Sequence, residues 1–342
     1  MRIAHVHADL PPESSGGVAW QVHRLAAAQV HAGRDVTVFS FSARPPGAPY
    51  PVSQLPRLPG RVQSGFARLF LAGLAFARVD YSGFDLVHFH GDSYLARPAP
   101  PTVRTFYGSA LAELRHATSL RFALSQLVVY PMELVAMLRA DRVVGISAAT
   151  GWALPRVRRT VPCGVDTRVF RPGDVRSPAP SILFVGTLSG RKRGNLLVRA
   201  FSDVVRARVP DAELWIVGAE TISAPGVRCL GRLSEEELAA AYRRAWVFCL
   251  PSSYEGFGVP YVEAMASGTP VVASPNPGAA EITAGGAHGV LVADAELGPE
   301  LARLLTDGSA RDALARAGLA RAADYDWANV VAQYDRIYTE LV

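Results

Sequence analysis

The chain has 342 residues, 49% of them hydrophobic and 19% charged, with three widely spaced cysteines; these features favour a folded cytoplasmic protein of two domains and exclude a disulfide framework. The net charge of +5 is uneven, because residues 1–172 hold 19 arginines against 10 acidic residues whereas residues 173–342 carry a net charge of −4. The N-terminal half therefore favours an anionic partner, either a phosphate-bearing acceptor or an acidic membrane surface, and its scattered arginines argue against nucleic acid.

Short β-branched runs alternate with amphipathic segments along the chain. Strands are predicted at 2–8, 35–41, 84–90, 102–108, 141–147 and 157–162, and again at 181–187, 212–218, 227–231, 246–251, 269–274 and 289–293. This alternation predicts parallel sheets with helices on both faces. The Pro- and Gly-rich segment 170–181 separates two such units, so we expect two doubly wound α/β domains, 1–172 and 173–324, facing one cleft.

The longest apolar run covers residues 122–138. It is short for a membrane span and contains Pro131 and Glu133. These features predict a buried helix that is kinked or split at the proline, although contact with a membrane in its plane stays open. Farther along, Ser234 and Glu237 have the spacing of a capping box and predict the start of a helix.

Two glycines follow the first predicted strand. Gly16 and Gly17 stand immediately before a helical pattern. Glycines at such a place let the backbone approach a ligand, and the amide groups at the start of a helix favour an anion. A glycine turn before a helix is common, so this signal is weak on its own.

A denser group of functional residue types occupies 251–274. Glu255 lies in a predicted loop, Gly256 and Gly258 flank Phe257 at the start of a helix, and Glu263 falls inside that helix. Two carboxylates eight positions apart, with a helix N-terminus between them, suit a ligand that has hydroxyl groups at both ends and phosphates in the middle. A nucleotide-sugar has that form.

Lys192 is the one lysine among the 35 basic residues. It occurs in "GTLSGRKRGN", the predicted loop after the strand at 181–187. A lysine kept where every other basic residue is arginine indicates a need for a compact ammonium rather than a planar guanidinium, although chance survival on the surface is the plain alternative.

"YEGFGVPYVEAMASGTPVVAS" resembles the signature of glycosyltransferase family 4, the retaining GT-B glycosyltransferases, in which two glutamates are separated by seven residues. The segments "GGV", "DLVHFH", "GVDTRVFRP", "FVGTLSGRKRGNLLVRAF" and "DYDWANVVAQY" occur in the family's order, so the resemblance covers nearly the whole chain. It implies a GT-B fold of two Rossmann-like domains, with the last helix, residues 325–342, crossing back onto the first.

The resemblance also implies roles for individual residues. Lys192 matches the family's lysine that contacts the donor diphosphate, Glu255 would face the hydroxyl groups of the donor sugar, and Glu263 would accept hydrogen bonds from the ribose. Gly17, with Gly16, would lie near the phosphates. Gly256, Phe257 and Gly258 are expected to add donor contacts.

Two positions depart from the family pattern. The family's arginine falls on Thr187, which leaves Arg191 or Arg193 to supply the second positive charge. Family members often have a histidine where this chain has Tyr107, a residue that does not titrate near neutrality. His90 is the nearest remaining imidazole in sequence, and a structural role for it is equally open.

These residues predict transfer of a sugar, with retention, from a nucleoside-diphosphate sugar to a hydroxyl group on a small-molecule, glycan or lipid-linked acceptor. No metal or cofactor is expected, because protein cations can stabilise the departing diphosphate. A GT-B sugar-nucleotide epimerase and an inactive nucleotide-sugar-binding protein stay open as alternatives. A nicotinamide-dependent dehydrogenase is disfavoured, because the first strand is not followed by Gly-x-Gly-x-x-Gly.

Overall fold

The computed structural model describes residues 1–14, 16–58, 66–116 and 119–342. They form two compact units, one of residues 1–164 and 327–342 and the other of residues 165–326. Residues 165–172 lie in the second unit, where Phe170 is fully buried with its ring edge-on to Tyr242.

The first unit contains a parallel sheet of seven strands in the order β3-β2-β1-β4-β5-β6-β7. Ile3, in the third strand of this order, pairs in register with Val36 on one side and Leu86 on the other, and all three side chains are buried. Its strands are β1 Arg2–Val6, β2 Asp35–Ser40, β3 Val52–Gln54, β4 Leu86–Phe89, β5 Thr102–Phe106, β6 Arg142–Gly145 and β7 Arg159–Thr160; its first helices are α1 Gly17–His31, α2 Phe66–Ala77, α3 Ala110–Arg115, α4 Leu120–Arg139 and α5 Ala148–Ala153.

The second unit contains a six-stranded parallel sheet in the order β10-β9-β8-β11-β12-β13. Its strands are β8 Ser181–Val185, β9 Glu213–Val217, β10 Val227–Gly231, β11 Val247–Leu250, β12 Val271–Ala273 and β13 Val290–Leu291; its helices are α6 Gly194–Ala200, α7 Arg206–Arg208, α8 Glu235–Arg244, α9 Val259–Ala266, α10 Pro277–Ile282, α11 Leu297–Thr306 and α12 Gly308–Ala322. Both sheets have the strand order of a doubly wound fold, in which ligands bind beyond the carboxyl ends of the strands.

The final helix, α13 Trp327–Thr339, belongs to the first unit. Its buried residues Val330, Tyr334 and Tyr338 pack in one cluster with Val22 and Leu25 of α1. The predicted return of the C-terminal helix to the N-terminal domain is therefore confirmed.

All twelve predicted strands are present, and β3 is an additional one. This short strand was missed because Ser53 and Gln54 are exposed polar residues, so the sequence there has no apolar alternation. The prediction of a buried, split helix at 122–138 was wrong. Helix α4 continues through Pro131, and of its residues only Ala136 and Met137 are buried.

Candidate active site

The loop after β8 holds Lys192 close to the strand end. Lys192 ends a 3-10 turn, Gly190–Lys192. Its side chain passes close to Gly186, where an added Cβ atom would lie 3.1 Å from the Cγ atom of Lys192. The backbone N–H of Ser253 donates to the carbonyl oxygen of Arg191 at 2.9 Å. This hydrogen bond joins the lysine loop to the loop after β11.

Lys192 and Glu255 form an ion pair. The Nζ atom donates to Oε1 of Glu255 at 2.6 Å, and the same oxygen accepts from the Ser252 hydroxyl at 2.7 Å. The Glu255 side chain is 6% exposed and that of Lys192 is 19% exposed, so both charges lie largely out of water. An ammonium has three N–H donors, and a substrate anion can use those that Glu255 does not take.

The loop after β11 leads directly into α9. Gly258 has φ of 100°, and a Cβ atom there would collide with the Tyr261 ring, so this turn requires glycine. Helix α9 begins at Val259, and no side chain caps its amide groups. The Phe257 side chain is buried edge-on to Tyr325, which leaves its backbone as the part that can contact a ligand.

Glu263 has surroundings different from those of Glu255. It lies inside α9 and is 6% exposed, and its Oε2 atom accepts from the Tyr242 hydroxyl at 3.2 Å. Burial of the Tyr242 phenol, and to a lesser extent the neighbouring charge of Glu263, raise the pKa of Tyr242 well above its usual value. The phenol therefore remains a hydrogen-bond donor to this carboxylate.

Arg193, next to Lys192, forms several hydrogen bonds outside its own loop. Arg193 donates to Asp294 at 2.8 Å, to the Ser274 hydroxyl at 2.8 Å and to the Pro251 carbonyl at 2.7 Å. Thr187 is exposed and donates to the Ser189 carbonyl of its own loop at 2.9 Å. Arg193 therefore holds this loop against its neighbours, and the Arg191 side chain is exposed.

In the first unit, Gly16 and Gly17 form the start of α1. Gly16 is the N-cap, without a side-chain hydrogen bond, and Gly17 is the first helical residue. A Cβ atom at Gly17 would meet no atom of the described residues within 4 Å. Packing against these residues therefore does not require glycine at this position, and they leave room for a ligand.

Tyr107 lies at the end of a buried chain of hydrogen bonds. Its hydroxyl lies 2.9 Å from Nδ1 of His90, whose Nε2 lies 2.8 Å from Nδ1 of His5. Nε2 of His5 lies 2.6 Å from Oε1 of Gln29, whose amide donates to Tyr338 at 3.2 Å. His90 is 3% exposed and both of its nitrogens are used, so it can influence a substrate only through Tyr107.

The direction of these hydrogen bonds follows from the amide of Gln29. Its Oε1 only accepts, so His5 carries its proton on Nε2, and Nδ1 of the neutral ring accepts from His90. His90 then accepts from the Tyr107 hydroxyl. Burial lowers the pKa of His5 to about 4 and that of His90 well below its usual value, which keeps both rings neutral.

His5, His88 and His90 lie close enough together to share a metal ion. Each of their six ring nitrogens, however, already has a hydrogen-bond partner: His88 contacts Tyr338 at 2.7 Å and Thr105 at 2.8 Å, and the other four nitrogens belong to the chain just described. The cluster is therefore a buried hydrogen-bonded network.

Comparison with known proteins decides the family. Residues 15–169 match the family described as Glycosyltransferase Family 4, and residues 179–307 match Glycosyl transferases group 1. A phosphatidyl-myo-inositol mannosyltransferase from Mycolicibacterium smegmatis is 30% identical, over 94% of this chain and 90% of its own length. This chain is a family 4 glycosyltransferase.

Two further similarities extend the comparison. A D-inositol 3-phosphate glycosyltransferase from Segniliparus rotundus is 33% identical to this chain, over 51% of this chain and 44% of its own length. The solved structure of a sucrose-phosphate synthase from Thermosynechococcus elongatus superposes with a TM-score of 0.80 at 22% identity, covering 99% of this chain and 98% of that one. The fold is thus GT-B, as predicted, and the protein transfers a sugar from a nucleoside-diphosphate sugar to an acceptor.

Sequence reasoning missed several residues that surround Glu255 and Glu263. Ser252 shares the carboxylate of Glu255, and Tyr242 contacts Glu263. Asn276 caps α10 and donates to the Ser252 carbonyl at 3.1 Å. Asn276, which directly precedes Pro277, carried a helix-start signal that could have identified its cap; no comparable signal marks Ser252 or Tyr242.

Proposed function

We propose that this glycosyltransferase moves a mannosyl group from a nucleoside-diphosphate mannose to a hydroxyl group of an inositol phospholipid. Two relatives support this specificity by name, since one acts on phosphatidyl-myo-inositol and the other on an inositol 3-phosphate. The arginine excess of residues 1–172 suits an acceptor that carries phosphate.

The observation that carries the proposal is the pair of Lys192 and Glu255. The diphosphate gains negative charge as the bond to the sugar breaks, and the Lys192 ammonium, 2.6 Å from Glu255, is a fixed cation that stabilises this charge. Arg191 and the amide groups at the start of α9 add to the same stabilisation. Glu255, held in place by Ser252, accepts hydrogen bonds from the hydroxyl groups of the sugar.

Three other residues are proposed to contact substrate. Glu263 accepts hydrogen bonds from the ribose, with Tyr242 fixing its orientation. Tyr107 donates its proton to His90, so its oxygen presents lone pairs to a sugar hydroxyl. The open space at Gly17 allows a substrate anion to approach the amide groups of α1.

The first unit contains a cavity that suits the acceptor headgroup. Its volume is about 350 Å³, and it is lined by Asp9, Glu13, Ser14, Phe41, Arg57, Leu58 and Arg68. Arg68 donates to both carboxylate oxygens of Asp9, at 2.7 and 2.6 Å. The arginines can bind a phosphate and the carboxylates can accept from ring hydroxyl groups, as an inositol phosphate requires.

A lipid acceptor requires the enzyme to work at a membrane. We infer a cytoplasmic protein that contacts the membrane peripherally through its basic N-terminal half.

The proposal is tested by incubating the purified full chain with phosphatidylinositol micelles and a panel of GDP-mannose, UDP-glucose and UDP-N-acetylglucosamine. A mannosylated lipid, identified by mass spectrometry and formed equally well in a chelator of divalent cations, is the expected product. Conversion of the donor to an epimer, or no product with any donor, would contradict the proposal. Dependence on an added divalent metal would contradict stabilisation by protein cations alone.

A further inference from the structure

Helix α4 carries an apolar stripe on its exposed side. The stripe consists of Leu120, Leu124, Leu127, Val128, Pro131, Val135 and Leu138, all of them exposed. Its two end residues, Leu120 and Leu138, are 76% and 65% exposed. Steps of three and four residues place all seven on one side of the helix. In an ordinary surface helix, that side faces the core.

Other contacts of the helix fix this orientation. Ala136 and Met137 pack in a core cluster with Phe106. The Glu133 carboxylate accepts from the Ala110 amide at 2.9 Å, and the Tyr130 hydroxyl donates to the Ala153 carbonyl at 2.9 Å. The stripe therefore cannot turn inward without breaking these contacts.

The surroundings of the stripe are basic. Residues 110–160 contain seven arginines and three acidic residues, and one of the acidic side chains is the inward-turned Glu133. Arg115 stacks on Trp152 at 3.9 Å from the ring centre, and Trp152 is 54% exposed. Arg156 donates to the carbonyl oxygens of Met137 and Leu138 at the end of α4. Apolar side chains, an exposed tryptophan and arginines together are typical of a helix that lies in a lipid interface.

We propose that α4 docks the enzyme on an anionic lipid surface, with its axis in the membrane plane. Its length and composition would also allow it to cross a membrane, with a mean hydropathy of 1.3 over 18 residues. The hydrogen bonds of Glu133 and Tyr130, however, hold the helix against the rest of the first unit. The stripe enters the boundary between headgroups and acyl chains, and the arginines contact lipid phosphates. This inference rests on the proposed function in that the acceptor is a lipid.

A second copy of the chain fits the same surface less well. A symmetric dimer through the stripe would bring the same patch of each copy together. Arg115 and Arg121 of one copy would then face the equivalent basic surface of the other, with little acidic charge between them to offset the repulsion. An anionic membrane provides the opposite charge as well as an apolar layer.

The test is co-sedimentation of the full chain with vesicles of phosphatidylcholine alone or with added phosphatidylglycerol. Wild type should bind the anionic vesicles, less tightly as salt is added. The double variant Leu124→Ser/Leu127→Ser should bind about tenfold more weakly or worse, because two inserted side chains are lost. The matched control, Val175→Ser/Leu319→Ser, changes two exposed apolar residues of the second unit and should bind like wild type.

Equal vesicle binding by wild type and the α4 variant would overturn the proposal. So would a wild-type dimer in sedimentation velocity that the α4 variant breaks, without vesicle binding by either. Nucleoside-diphosphate binding, measured by calorimetry on the same proteins, should be unchanged by the α4 variant. Failure to mannosylate any inositol lipid would count against the proposed function and leave the vesicle result decisive for α4.

Discussion

The ammonium of Lys192 and the carboxylate of Glu255 lie 2.6 Å apart, although they are 63 positions apart in the chain. Both side chains lie largely out of water, and the Ser252 hydroxyl donates to the same Glu255 oxygen. A buried pair of this kind is costly to break on one side only, because the remaining charge loses its partner. We therefore expect substitutions here to lower the stability of the second unit and, if the proposed roles hold, to impair sugar transfer as well.

The first prediction separates these two effects. Lys192→Met should lower turnover by about 10²- to 10³-fold, the usual loss for one preorganised donor, and should also lower the melting temperature. The double variant Lys192→Met/Glu255→Gln should recover most of the melting temperature without recovering activity. Steady-state kinetics and thermal melts of both variants check this, and near-normal turnover of Lys192→Met would remove the lysine from the mechanism.

The second prediction concerns Glu263. If this carboxylate binds the ribose, Glu263→Gln should weaken the binding of the free nucleoside diphosphate by about tenfold, a typical loss for a charged hydrogen bond. Tyr242→Phe removes only the hydrogen bond that orients the carboxylate and should weaken it less. Calorimetric titration of both variants with nucleoside diphosphate is the measurement. A larger loss in Tyr242→Phe would contradict the assigned order of roles.

The third prediction concerns Gly17, which has open space where a side chain would be. Gly17→Ala should keep or slightly raise the melting temperature, because alanine favours a helix. It should nevertheless weaken substrate binding, since the methyl group occupies the approach to the amide groups. Gly33→Ala is a contrasting variant, because φ of 80° at Gly33 makes any side chain strained there. Unchanged KM values in Gly17→Ala would mean that no ligand approaches this turn.

The fourth prediction concerns Tyr107, whose pKa burial raises well above its usual value. Tyr107→Phe should lower the rate several-fold to tenfold, since one hydrogen bond to a sugar is worth about 0.5 to 1.5 kcal/mol. The shape of the pH-rate profile between pH 6 and 8 should not change. The variant should also melt earlier, because Nδ1 of His90 loses its donor. A rate equal to wild type at every pH would assign Tyr107 to packing.

The fifth prediction is a loss of stability in acid. Burial lowers the pKa of both His5 and His7 to about 4 in the folded protein, from 6.5 when unfolded. The unfolded chain therefore binds more protons below pH 6.5, and stability that is present above this pH is lost as it falls toward 4. Melting temperatures from pH 8 to 5 should show the decline. His90→Gln should flatten it more than His31→Gln does, because His31 is exposed.

Much of the fold could be predicted because strand and helix patterns are local. The capping box of Ser234 and Glu237 is one such local feature, and both of its hydrogen bonds are present. The pair of Lys192 and Glu255 and the chain from Tyr107 to Gln29 could not be predicted, because they join residues far apart in sequence. Helix α4 was misread because hydrophobicity alone does not say which side of a helix the core covers.

The membership of α13 in the first unit has a consequence for synthesis. Tyr334 and Tyr338 complete the core and the histidine network of a unit that begins at Met1. Those residues follow all of 165–326 in the chain, so they are synthesised after the whole second unit. The second unit can thus close its sheet first, and the first unit remains without α13 until residues 327–342 have been made.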